Sequence, residues 1–159
     1  METMDIEIFE VTEVNNDLVA AMGQLVQQLS DSNVPPDFEA LEKIVASDAT
    51  VLLVAADGGV IVGTMTLVLF RIPTGLRAWI EDVVVDEEAR GRGIGEALNR
   101  AAIVRARSEG ARTVDLTSRP SRREANRLYQ RMGFTERQTN VYRLAVESES
   151  VEESEDPQL

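Results

Sequence analysis

Polar and apolar residues alternate from Asp5 to Val14, with Ile6, Ile8, Phe9 and Val11 as the apolar set, which predicts a first strand. The period then lengthens. Leu18, Met22, Leu25, Val26 and Leu29 recur at helical spacing behind Asn16 or Asp17 as cap, and Phe38, Leu41, Ile44 and Val45 do so behind the breaker Pro35-Pro36-Asp37. Two apolar runs, Thr50 to Ala56 and Val60 to Phe70, flank Asp57-Gly58-Gly59, the pattern of a hairpin. After the turn Pro73-Thr74-Gly75, a β-branched stretch from Arg77 to Val85 predicts a fourth strand. A helix is expected from about Gly93 to Ser108, with Gly110 just past it in position for a left-handed cap. Thr113 to Thr117 predicts a strand, Glu124 to Met132 a short helix stopped by Gly133, and Thr135 to Gln138 with Val141 to Leu144 a final strand pair. The expected order is therefore strand, two helices, three strands, helix, strand, helix, two strands.

These elements occupy residues 1–146 and are expected to form a single domain, since the 159-residue chain has no comfortable room for two. From Glu147 onward serine, glutamate and aspartate replace nearly all apolar residues, so residues 147–159 are expected to be an acidic disordered tail. The longest apolar run, Val60 to Phe70, is too short to cross a bilayer, and Met1 opens onto acidic residues instead of a basic signal region. A cytoplasmic protein without a membrane partner is the expectation.

Charge changes the picture more than composition does. The formal net charge is −12, but residues 1–85 carry −11, residues 86–146 carry +5 and the last 13 residues carry −6. The basic stretch suits an anionic ligand, while the acidic whole disfavours long nucleic acids, so no nucleic-acid partner is expected. The chain has no cysteine and no histidine. Disulfides, thiolate nucleophiles, cysteine-ligated metals and histidine-dependent triads are excluded, and no metal site is expected. Acid–base chemistry would have to rest on carboxylates, tyrosine or water.

One run carries an anion-binding pattern. Arg90-Gly91-Arg92-Gly93-Ile94-Gly95 joins the strand ending at Val85 to the following helix, where unpaired amides at a helix start match a pyrophosphate. Its G-x-G-x-G spacing departs from the dinucleotide fingerprint G-x-G-x-x-G, and it lacks the Gly-Lys-Ser/Thr ending of the nucleotide P-loop.

Placed between a strand and a helix, Arg90, Gly93 and Gly95 fill the pattern R/Q-x-x-G-x-G/A and resemble the acetyl-coenzyme A signature of the GNAT N-acetyltransferase superfamily. The later block Ala125-Asn126-Arg127-Leu128-Tyr129-Gln130-Arg131-Met132-Gly133-Phe134 is similar to that family's A-x-x-L-Y-x-x-x-G-F segment. The resemblance extends over residues 5–144. It implies an α+β fold, a mixed and mostly antiparallel sheet of about seven strands flanked by about four helices, with strands 4 and 5 splayed apart. Free backbone groups of Val83, Val84 and Val85 would then pair with the pantetheine arm of acetyl-CoA, and the pyrophosphate would rest on the amides of Gly91 to Gly95 between Arg90 and Arg92.

By the same resemblance Tyr129 would be the general acid that protonates the departing thiolate, and Asn126 either bonds the pantetheine arm or faces solvent. Where the family often has asparagine seven residues before the tyrosine, this chain has Arg122. An amine nucleophile must lose a proton before attack, and Glu81 and Asp82 interrupt the apolar fourth strand beside the expected thioester. Glu81 comes first and Asp82 second as base. Strand neighbours face opposite ways, so only one would enter the cleft unless a bulge intervenes, and water remains open as the proton acceptor. Trp79 shares the parity of Glu81. The expected activity is direct transfer of the acetyl group to a primary amine on a small molecule or peptide. A noncatalytic acyl-CoA-binding or sensing module is the alternative. Homodimers are frequent in the family, and self-association is left open.

Overall fold

The computed structural model describes residues 5–146, which fall into two compact units, residues 5–122 and residues 123–146. The acidic tail expected at 147–159 lies outside the described residues. The larger unit runs through β1 (Ile6–Glu10), α1 (Asn16–Leu29), α2 (Phe38–Ala46), β2 (Thr50–Asp57), β3 (Val60–Ile72) and β4 (Gly75–Val85). A 3-10 turn (Glu87–Ala89), α3 (Ile94–Ser108) and β5 (Val114–Asp115) complete it, and the smaller unit carries α4 (Arg123–Arg131).

Local chemistry sets the helix starts. The residue that caps α1 is Asn15, one position before the expected Asn16: its Oδ1 accepts the Leu18 amide at 2.8 Å. Asp37 accepts the Ala40 amide at 2.8 Å and starts α2 directly after the two prolines. Such caps contribute about 1 kcal/mol each by satisfying an amide that has no partner within the helix.

The sheet has the strand order β1-β2-β3-β4-β5, antiparallel throughout except for the parallel pair β4–β5. Helices cover both of its faces. Leu52 and Val54 of β2 form one core with Val11, Leu18, Met22 and Leu41, which places α1 and α2 on that face. Successive strand residues point oppositely, so Gly63, paired with Ala55, faces the other way. A Cβ at Gly63 would stand 3.3 Å from Ile94 Cγ2 and Leu98 Cδ1, so α3 packs closely on this second face and a larger residue there would push its side chains back by a few tenths of an ångström. Burial on both faces explains why β2 reads as an unbroken apolar run and not as an alternation.

α3 ends as the glycine spacing predicts. Gly110 adopts φ 85°, its amide donates to Arg107 O, and the Ala111 amide donates to Ala106 O, the paired bonds of a Schellman stop. In the last turn Arg105 donates to both Glu10 and Glu109. Hydrogen bonding from that guanidinium holds the Glu109 carboxyl below its ordinary range.

Two expectations change. The sheet has five strands among the described residues, against about seven expected, because the segments Thr135 to Gln138 and Val141 to Leu144 form no strand. Thr135 to Asn140 is six consecutive polar residues with no alternation to give a buried face, and Val141, Tyr142, Leu144 and Val146 are all exposed. β5 is also shorter than the expected Thr113 to Thr117.

Candidate active site

β4 keeps β3 as its neighbour from Gly75, opposite Ile72, to Val85, opposite Gly63. On its other edge β5 pairs with it only at Ala78↔Val114 and Trp79↔Asp115. From Ile80 to Val85, a stretch that includes Val83, Val84 and Val85, β4 thus has a partner strand on one side only among the described residues. An edge of this kind presents backbone donors and acceptors that an extended ligand can pair with.

Within that stretch the register slips. Thr64 lies opposite Val84 and Thr66 opposite Glu81, so Asp82 and Val83 together face Met65, which defines a β-bulge. Asp82 is the only residue other than glycine with positive φ among the described residues, at 52°. A side chain in this left-handed region costs on the order of 1 kcal/mol, and aspartate is among the residues that tolerate it. The bulge breaks the strict alternation that would send Glu81 and Asp82 to opposite faces. Trp79 and Glu81 remain on one face, and the indole Nε1 donates to Glu81 Oε1 at 2.8 Å. Asp82 lines a recess of about 360 Å³ whose wall includes Met22 and Val26 of α1, Leu41 of α2, Leu52 of β2 and Thr66 of β3.

At the end of β4, Asp86 caps the 3-10 turn by accepting the Glu88 amide at 2.9 Å, and the chain enters the glycine loop. Gly91 and Gly93 take φ 78° and 76°, and a Cβ on either would meet no protein atom within 4 Å. Their need for glycine is therefore conformational, and the space over both stays open to a ligand. Gly93 is the N-cap of α3 and offers no side chain to the helix start, so the amides of the first turn are left for an anion. Gly95 is already helical, with a Cβ position 3.9 Å from Val85 Cγ2.

The two arginines are anchored by the protein itself. Arg90 Nε donates to Val85 O at 3.1 Å. Arg92 Nη1 meets Asp57 Oδ2 at 2.8 Å and fastens the loop to the end of β2. These residues fit a coenzyme A pyrophosphate: open glycine positions, helix-start amides and two arginines in the same loop. Among the described residues no cluster of histidine, cysteine, aspartate or glutamate could hold a metal ion.

Asn126 and Tyr129 belong to α4 in the smaller unit. The geometry there accounts for much of the block that contains them. The Phe134 amide donates to Tyr129 O at 2.9 Å and the Gly133 amide to Gln130 O at 3.1 Å, with Gly133 at φ 98°. This is again a Schellman stop, and its customary apolar contact is the edge-to-face packing of the Tyr129 and Phe134 rings, 5.7 Å apart. The spacing Tyr-x-x-x-Gly-Phe is thus a helix terminator as well as a signature.

The larger unit brings together Glu81, Asp82, Val83, Val84, Val85 and Arg90 to Gly95 along one strand and the turn that follows it. Sequence reasoning missed Asn99, one turn into α3 and 1% exposed. Its Nδ2 donates to Gly95 O at 2.8 Å, and its Oδ1 is buried without a hydrogen-bond partner. A polar residue where the stripe Ile94, Leu98, Ala102 demands an apolar one was the available signal. The Arg92–Asp57 pair joins residues 35 apart in sequence, and no local pattern announces it.

The sequence profile of the acetyltransferase (GNAT) family matches residues 16–134. A glucosamine 6-phosphate N-acetyltransferase of Oryza sativa subsp. japonica is 36% identical over 98 residues, 62% of this chain and 55% of that protein. The chain therefore spans about half the length of this curated relative. Among solved structures, an aminoglycoside acetyltransferase from an uncultured soil metagenomic sample superposes with a TM-score of 0.80 at 20% identity, covering 89% of this chain and 97% of that one. A transcriptional regulator from Bacillus halodurans C-125 superposes with a TM-score of 0.72 at 28% identity, covering 88% of this chain and 99% of that one.

Proposed function

The chain belongs to the acetyltransferase (GNAT) family, and from that membership we propose that it transfers the acetyl group of acetyl-coenzyme A to a primary amine by direct attack, with residues 1–146 acting as one functional domain. The observation that carries this reading is the edge of β4 left without a neighbouring strand beyond Trp79 among the described residues, ending in a glycine loop whose positive-φ residues open onto free space.

When bound, acetyl-CoA supplies an acyl group activated as a thioester. The amides of Gly91 to Gly95 hold the pyrophosphate at the start of α3, where the helix dipole also favours an anion. Arg90 and Arg92, oriented by Val85 O and Asp57, add positive charge beside it. Backbone groups of Val83 to Val85 pair with the pantetheine amides in place of a strand, and Asn126 bonds the same arm.

The acceptor arrives as an ammonium ion and must give up a proton before its nitrogen attacks. Asp82, on the wall of the recess, takes that proton directly or through water. Glu81, whose carboxylate already accepts the Trp79 indole, is the second candidate. A carbon–nitrogen bond forms as the carbon–sulfur bond breaks, the nitrogen gives its second proton to water, and Tyr129 donates a proton to the departing thiolate and regains one from solvent. No covalent enzyme intermediate is needed, in keeping with the absence of cysteine.

A second reading, a noncatalytic acyl-CoA-binding or sensing module, takes support from the likeness to the Bacillus halodurans transcriptional regulator. One experiment separates them. The full chain is titrated with acetyl-CoA and with ATP, and thiol release is followed with a panel of primary amines. Saturable acetyl-CoA binding with amine-dependent thiol release supports the transferase. Binding without release supports the module, and ATP binding without coenzyme A binding refutes both.

A further inference from the structure

The recess beside Asp82 has a chemical character of its own. Eight of its lining residues are apolar, including Met22, Val26, Leu29 and Leu52. Its polar wall groups are Asn33, Thr64, Thr66 and Asp82, and the Thr64 hydroxyl donates to Leu53 O at 2.9 Å. Asp82 is the one charged side chain in the lining, and no arginine or lysine contributes to it among the described residues. At about 360 Å³ the recess lies toward the small end of the usual range for small-molecule sites, roughly 300–1,000 Å³.

Resting on the transferase reading above, we propose that this recess is the acceptor site and that it selects primary amines with a compact apolar body: short alkylamines and arylalkylamines. The ammonium group meets the Asp82 carboxylate, and the hydrocarbon lies against α1 and β2. The left-handed backbone at Asp82 supports the placement, since strain of this kind persists where the surrounding structure needs a side chain re-aimed.

The same observations argue against a phosphorylated amino sugar, the acceptor that the name of the rice relative carries. A phosphate would enter a recess whose only charge among the described lining residues is negative, with no cation to receive it. Polyamines fare no better, because their second and third ammonium groups would be pressed into the apolar end.

The test uses the full chain, acetyl-CoA and thiol release with the series propylamine to hexylamine, then phenethylamine, spermidine and glucosamine 6-phosphate. Each added methylene is expected to raise kcat/KM by about two- to fourfold until the recess is filled. The best apolar amine should exceed glucosamine 6-phosphate and spermidine at least tenfold. Val34 lines the recess and is 89% exposed, so Val34→Arg adds a cation there without disturbing the core. It should lower the preference for hexylamine over glucosamine 6-phosphate about fivefold, with an unchanged melting temperature.

A flat alkyl series, or glucosamine 6-phosphate or spermidine as the best acceptor, overturns the proposal and leaves the transferase standing. A Val34→Arg variant with an unmoved preference also overturns it. If no amine releases thiol, titration of hexylamine into the coenzyme A-loaded protein decides separately. Saturable binding weakened by Val34→Arg keeps the site while the transferase reading fails, and no binding removes both.

Discussion

Gly93 and Gly110 sit at opposite ends of α3 in the same backbone state, which makes them a matched pair for locating the anion site. Gly93 has φ 76° and Gly110 φ 85°, and a Cβ on either would find no protein atom within 4 Å. Replacing either by alanine therefore introduces no clash within the protein. Its cost is the left-handed penalty of about 1–2 kcal/mol, partly offset by about 0.4–1 kcal/mol from the reduced freedom of the unfolded chain. The net loss for each should be about 1 kcal/mol, and the melting temperature should fall by roughly 2–4 °C.

Ligand binding should tell the two apart. At Gly93 the added methyl group enters the space in which the pyrophosphate approaches the loop amides, and losing one charge-assisted hydrogen bond there costs about 1.5–3 kcal/mol. That corresponds to roughly ten- to hundredfold in the dissociation constant of coenzyme A. Gly110, at the far end of the helix, should leave that constant unchanged. Thermal melting of the free protein and calorimetric titration with coenzyme A measure the two quantities independently. Equal coenzyme A affinity in Gly93→Ala and Gly110→Ala would refute the assignment of the loop as the pyrophosphate cradle, whatever the two melting temperatures do.

Tyr129→Phe keeps the ring that packs on Phe134 and removes only the hydroxyl, so the melting temperature should hold while kcat falls about 10²- to 10⁴-fold in a thiol-release assay. Asp82→Asn should lower kcat/KM for amines by at least about 10²-fold, whereas Glu81→Gln, whose side chain can still accept the Trp79 indole, should lower it less than about tenfold; the reverse order would make Glu81 the base. Asn99→Leu removes a buried acceptor that has no partner together with the bond from Nδ2 to Gly95 O, and the net should be a rise in stability of about 1 kcal/mol in chemical denaturation. Glu109→Gln tests the end of α3: the Glu109 carboxyl is held below its ordinary range by Arg105, so its contribution is present above the unfolded carboxylate pKa and is lost as pH falls through the folded value. The gap in melting temperature between wild type and variant should be widest near neutral pH and close in acid.

Much of the architecture is legible in the sequence because the elements up to α4 each carry their own local signal. Helical stripes, the Asp57-Gly58-Gly59 turn and the stops at Gly110 and Gly133 all act over a few residues, and the structure follows them to within one or two positions at most boundaries. The expected final strand pair does not form, because its apolar residues Val141, Tyr142 and Leu144 span only four positions and follow six consecutive polar ones. A strand forms only when a neighbour pays its ordering entropy, and neighbours are not written locally. The site divides along the same line. The glycine loop is a local signal and stands where expected, whereas the recess, the bulge and the Arg92–Asp57 bond depend on residues brought together from separate elements.

The bulge and the open edge are best understood as one feature. In the middle of a fully paired sheet, an extra residue in β4 would have to be accommodated by the ladders on both sides. Here the bulge at Asp82 and Val83 begins three residues after the last contact with β5 at Trp79, so only β3 has to absorb it. The loss of the outer neighbour therefore lowers the cost of the irregularity, and the irregularity turns a carboxylate toward the recess next to the edge where an extended ligand can pair. Deleting Val83 would restore the register with Met65, remove the left-handed residue and return Asp82 to strict alternation. A shortened chain that folded with normal stability, bound coenzyme A and still turned over amines at the wild-type rate would show that the bulge has no part in placing the base.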